Sequence, residues 1–138
     1  MVGKGAIGVS AKDGKLLWHY NRIANGTAVI PTPLVWDDYV FVSSGYGTGA
    51  ALLKLQKDGG GVKAEEQYFL KASEFENHHG GMVRIGDYIY AGSGNNNGLP
   101  VCIAWKTGKI ACSWLAVTTV QTLPIWWSYW NSVVQLTL

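Results

Sequence analysis

A chain of 138 residues with a formal net charge of +2 has room for one ordinary domain, and its eleven basic residues are too scattered to track a phosphate backbone, so no nucleic-acid partner is expected. Hydrophobic residues make up 48% of the chain and charged ones only 14%, with 18 glycines and 7 tryptophans, which describes a turn-rich, aromatic, all-β protein able to bury a core. Cys102 and Cys112 match neither CxxC nor a paired zinc-ligand spacing; they read as small buried apolar residues, with a disulfide as the alternative.

The N-terminal stretch MVGKGAIGVSAKDGK lacks the apolar core and cleavage site of a secretory signal, so the chain as written is expected to stay in the cytoplasm. From there short β-type runs alternate with Gly, Asp and Asn, and no helical period is sustained. Strands are expected at residues 6–11, 16–21, 33–36, 39–44, 50–56, 63–70, 81–85, 88–93, 100–105 and 109–115. Asp37-Asp38 and Gly86-Asp87 read as tight hairpin turns, Asn96-Asn97-Gly98 as a source of positive-φ residues, and the segment from Lys57 to Gly61 as a looser turn. Strands following one another in this way form an antiparallel meander.

An internal repeat organises the chain. Asp38-Tyr39-Val40-Phe41-Val42-Ser43-Ser44-Gly45 returns as Asp87-Tyr88-Ile89-Tyr90-Ala91-Gly92-Ser93-Gly94, and Asp13-Gly14-Lys15-Leu16-Leu17-Trp18 is echoed by Thr107-Gly108-Lys109-Ile110-Ala111-Cys112. A period near fifty residues with four strands is the size of one propeller blade. Over residues 5–111 the chain resembles the PQQ-like repeat β-propellers: residues 10–18 look like the alanine-x-aspartate-x-x-threonine-glycine-lysine-x-x-tryptophan part of their repeat, and Asp38 and Asp87 open segments similar to "DGxVYVGS". The resemblance implies four-stranded antiparallel blades and makes Trp18 a docking residue packed between neighbouring blades. The quinone enzymes of that family use adjacent cysteines and a calcium site, which this sequence lacks, so no cofactor is expected.

The strand count gives half a blade followed by two whole ones, fewer than the four to eight of a closed ring. Self-association into a homo-oligomer through the open edges is therefore expected. Residues 112–138 stand apart from the blades of residues 1–111. They carry no charge and are rich in Trp, with Trp126, Trp127 and Trp130 expected to cover an edge or another subunit; their Thr, Gln, Asn and Pro residues argue against a membrane span.

Glu74-Phe75-Glu76-Asn77-His78-His79 places two imidazoles and two carboxylates just before a strand. His78, His79 and Glu76, with Asp87 as a helper, are the candidates for general acid-base or metal-assisted chemistry. Neighbouring residues of an extended chain point to opposite faces, so His78 and His79 are not expected to share a metal unless the loop turns between them, and no metal site is assigned. Tyr46, His78, Asn95 and Asn96 are the candidates for binding a small molecule or peptide. Gly45-Tyr46-Gly47-Thr48-Gly49-Ala50 fits G-x-G-x-x-A, but the segment after it is too short for the helix a dinucleotide needs and reads as a hairpin. The leading expectation is a non-catalytic, self-associating propeller module that binds a ligand or acts as a scaffold. A small hydrolase with a histidine site at a subunit interface is the alternative, and a PQQ-type oxidoreductase stands third. Members of the resembled family are often periplasmic or secreted.

Overall fold

The computed structural model describes residues 1–113; Trp126, Trp127 and Trp130 lie outside the described residues. Ten strands follow in chain order: β1 (Ala6–Val9), β2 (Leu16–Tyr20), β3 (Leu34–Trp36), β4 (Tyr39–Ser44), β5 (Gly49–Asp58), β6 (Gly61–Lys71), β7 (Met82–Ile85), β8 (Tyr88–Ser93), β9 (Leu99–Ala104) and β10 (Ile110–Ser113). They form three antiparallel sheets: a first of β1-β2, a middle one of β3-β4-β5-β6 and a third of β7-β8-β9-β10. The fold is all-β, with four-stranded antiparallel sheets in which each strand pairs with the next in sequence.

Two turns depart from expectation. β5 and β6 run without a break to a two-residue turn at Gly59-Gly60, where both glycines have positive φ (50° and 94°) and the strands stay paired to Asp58↔Gly61. The twist of a two-residue hairpin demands that backbone, and glycine adopts it without a Cβ penalty. Between β8 and β9 the positive φ falls on Gly94 and Gly98, not on Asn96 or Asn97.

The sheets stack face to face, and the middle one is covered on both sides. Val40, Val42, Ala51 and Leu53 pack with Ala6, Ile23, Trp18 and Tyr20 of the first sheet and its following loop. The alternate residues Phe41, Ala50 and Leu52 pack with Ile89, Val101, Ile103 and Trp105 of the third. This explains why β4 and β5 read as nearly continuous apolar runs: period-two alternation is lost when both faces are dry. Arg84 of β7 adds a contact between the sheets, its guanidinium lying 4.2 Å from the Trp36 ring centroid and 5.2 Å from that of Trp105. On the other side Arg22 lies 3.8 Å from the Phe69 centroid and pairs with Glu66 at 2.6 Å, while Tyr20 also donates to Glu66.

The sequence repeat is a repeat of geometry. Gly5, just before β1, and Gly49, at the start of β5, both have φ 118°, and a Cβ on either would collide with the backbone carbonyl of Tyr20 or Leu70 respectively. Asp38 O accepts from Leu55 N at 2.7 Å, and Asp87 O from Trp105 N at 2.8 Å. In every sheet the last strand shifts register by a bulge beside one cross-strand pair: Gly8↔Trp18, Leu52↔Tyr68 and Cys102↔Cys112. Trp18 lies over Gly8, which has no side chain to obstruct it, and is half-buried in the contact with the middle sheet. Tyr68 reaches the third sheet, lying against Gly108 and donating its hydroxyl to Trp105 O at 2.8 Å. At the third position the cysteines face each other with a Cα–Cα distance of 5.0 Å and form a disulfide. Cys102 is buried, as the sequence suggests, but the pair is covalent, because the register sets the two side chains side by side on one face.

Reducing the Cys102–Cys112 bond opens a short loop and is expected to lower stability by about 2–3 kcal/mol, read as a lower urea midpoint with reductant. Tyr68→Phe removes the hydroxyl that holds the middle and third sheets together, at an expected cost of about 1 kcal/mol in the same titration. Burial raises the Tyr68 phenol above its ordinary value of 10.0, so its contribution is complete below that pH and is lost as the pH rises. The fall in stability on going to strongly alkaline pH should accordingly be shallower in Tyr68→Phe than in the wild type.

Candidate functional site

At one end of the stack the β4–β5 turn, the β8–β9 turn and the crossover from β6 to β7 converge. The β4–β5 turn contains the G-x-G-x-x-A segment, which forms the expected hairpin. Its backbone is unusual: Tyr46, a non-glycine residue, sits at φ 59° beside Gly47 at φ 75°. A bulky side chain there costs about 1–2 kcal/mol and needs support from its surroundings. The crossover and the β8–β9 turn supply it. Gly47 N donates to Glu76 Oε2 at 2.8 Å, and Tyr46 N donates to Asn95 Oδ1 at 3.4 Å.

The crossover is held in turn by the two hairpins. Asn77 N donates to Ser43 Oγ at 3.0 Å, Asn77 Nδ2 to Gly92 O at 3.0 Å, and Gly94 N to Glu76 O at 2.9 Å. Asn77 is buried, and Glu76 nearly so. The Ser43 hydroxyl itself donates to Gly49 O, so it is a structural tie rather than a nucleophile.

These ties bring Tyr46, His78 and Asn95 together. His78 Nδ1 lies 2.6 Å from Asn95 O, and the edge of one ring meets the face of the other where Tyr46 and His78 approach, with centroids 4.4 Å apart and planes at 85°. A carbonyl only accepts, so Nδ1 carries the proton and the neutral ring presents Nε2 as an acceptor. His78 Nε2 is buried without a partner among the described residues, and so is Asn77 Oδ1 next to it in the chain. Space is limited on one side, since a Cβ on Gly45 would stand 3.1 Å from both Cα and Cδ2 of His78.

The geometry bears on three of the expectations from sequence. His78 and His79 do not point to opposite faces; their rings lie against one another, with centroids 3.7 Å apart, because both residues sit in a bend rather than a strand. Asp87 is no helper: it occupies the β7–β8 turn, and β8 separates it from Asn95 by its full length. Glu76 accepts the Gly47 backbone N–H through Oε2. Asn96 is exposed in the same turn as Asn95, and His79 is exposed beside His78. Sequence reasoning missed Asn77, although Asn25 stands about one repeat earlier and ties the preceding crossover to Ser44 Oγ at 2.6 Å.

Among the described residues no group of three or more His, Cys, Asp or Glu side chains is placed to hold a metal ion, and no helix is long and apolar enough to cross a membrane. No family model, curated protein or solved structure matches the chain.

Nitrogen-proton correlation NMR of the neutral His78 ring is expected to show a protonated Nδ1 and an unprotonated Nε2; the reverse pattern would contradict the bond to Asn95 O. Gly45→Ala should displace His78 and shift its ring resonances while leaving the far-ultraviolet circular dichroism unchanged.

Proposed function

We propose that this chain is a non-catalytic binding module of the PQQ-like propeller type, which assembles with further copies and takes a small molecule or peptide between Tyr46, His78, Asn95 and Asn96. One observation supports the reading: two buried acceptors, His78 Nε2 and Asn77 Oδ1, have no partner among the described residues at a place where loops of two sheets meet. Buried acceptors of this kind are satisfied by a donor from outside, so the preferred ligand carries N–H or O–H groups. Loops held at the end of a rigid stack are the usual position for such a site. The blade-like stacking, the repeated glycine pair and the repeated turn contacts support the propeller reading.

A binding role is favoured over hydrolysis because the groups around His78 are already engaged in structure: Glu76 with Gly47 N, and Ser43 with Gly49 O and Asn77 N. A disulfide persists where the surroundings are oxidising, and a chain exported as the resembled family often is would keep Cys102–Cys112 intact.

In a thermal-shift screen of small molecules and peptides, ligands that raise the melting temperature of the wild type should fail to do so in His78→Ala, which should itself remain folded. A hydrolytic turnover that disappears in His78→Ala or His79→Ala without unfolding would replace binding by catalysis. The native mass in solution should be a multiple of 15.0 kDa, and a monomer would end the assembly part of the reading.

A further inference from the structure

Every sheet of the stack has a forward face, turned toward the next sheet, and a backward face. Within the chain a forward face meets a backward face twice: Ala6 and Trp18 of the first sheet meet Val40, Val42, Ala51 and Leu53 of the middle one, and Phe41, Ala50 and Leu52 of the middle sheet meet Ile89, Val101 and Ile103 of the third. Among the described residues two faces are left over, and they are one of each kind.

The register defines them. On the forward face of the middle sheet Leu34 pairs with Phe41, Phe41 with Leu52, and Trp36 with Tyr39. On the third sheet the corresponding pairs are Val83 with Tyr90, Tyr90 with Cys102, and Ile85 with Tyr88. Of the first set Leu34, Tyr39, Phe41 and Leu52 pack in the core against the third sheet, while Trp36, at its margin, is 51% exposed and meets the Arg84 guanidinium; in the second set Val83, Ile85 and Tyr88 are 46%, 45% and 41% exposed. On the backward side Val9 pairs with Leu16 as Ile103 pairs with Ile110. Ile103 and Ile110 pack into the core, whereas Val9 and Leu16 are 52% and 58% exposed. An apolar sheet face is costly to leave in water, and the repeat builds both halves of a packing that it uses twice internally.

The geometry points to a head-to-tail contact between copies, in which the forward face of the third sheet of one copy docks on the backward face of the first sheet of the next. The contact is heterologous, a different patch on each side, and its polarity is set by the direction of the internal stack. Val35, on the backward side of the middle sheet opposite Val40, is 67% exposed because the two-stranded first sheet is too narrow to cover it. This assignment rests on the self-association proposed above and names its surfaces.

Introducing a charge on either face tests it on the full chain. Val9→Lys disables the backward face and Ile85→Glu the forward face, both at exposed positions, and each variant should keep the wild-type circular dichroism, with a melting temperature that no longer depends on protein concentration. Analytical ultracentrifugation should show the wild type assembled, each variant alone monomeric, and an equal mixture restored to a one-to-one pair, since each variant keeps the face that the other has lost. A wild type that sediments as a monomer overturns both the assembly and the faces assigned to it. Assembly that persists in either single variant, or a mixture that stays monomeric, overturns only the faces. Ile85→Glu that lowers the melting temperature by several degrees with no change in mass also overturns them, because residues 114–138 of the same chain would then be the cover.

Discussion

The middle sheet sets the terms for the rest of the molecule. Phe41, Ala50 and Leu52 emerge on one side of β4 and β5 and Val40, Val42, Ala51 and Leu53 on the other, so this sheet has no side it can show to water. Covering seven such residues requires a sheet on each flank, and the first and third sheets take those places. At about 1.5–3 kcal/mol for each large apolar side chain buried, these two contacts outweigh any surface ion pair in the molecule, including Arg22–Glu66, whose side chains are 53% and 30% exposed. The ion pair and the two arginine-aromatic contacts align sheets that the apolar faces have already brought together.

How much of this was legible in the sequence depends on whether local or distant residues decide the outcome. β4 and β8 are read with their observed bounds because β-branched and aromatic runs are closed on one side by turn-forming Asp or Gly-Asp and on the other by Ser and Gly. The Gly59-Gly60 turn was read as loose because three successive glycines do not reveal which of them remains in the strand; the register does. The disulfide was left open because ten residues of separation allow many arrangements, and only the bulge before Cys112 brings it opposite Cys102. Strand alternation separates His78 from His79 only in an extended chain, and the bend at these residues brings their rings together.

The grouping of Tyr46, His78 and Asn95 was anticipated from composition and position along the repeat, but the chemistry of the group was not. That depends on ties which no spacing announces, above all the bond from His78 Nδ1 to a main-chain carbonyl. A comparison of the two crossovers shows how the repeat has been modified there. Asn25 is followed by Gly26 and Thr27 and closes on itself, its Oδ1 accepting from Thr27 N at 2.8 Å and Ala28 N at 2.7 Å. Asn77 is followed by His78 and His79, and its Oδ1 receives no such donor. The same scaffold position is thus satisfied locally in the first crossover and left without a donor among the described residues in the second.

The three cross-strand pairs beside the bulges have a mechanical consequence. Gly8↔Trp18 and Leu52↔Tyr68 hold their edge strands by packing and by hydrogen bonds that can open one at a time, like the teeth of a zip. Cys102–Cys112 sits one residue before the end of β10, at the place where tension from residues 114–138 would enter the fold. A pull from that side meets a covalent bond almost at once and is passed to β9, in the interior of its sheet, so the third sheet resists peeling from its free edge in a way the other two do not.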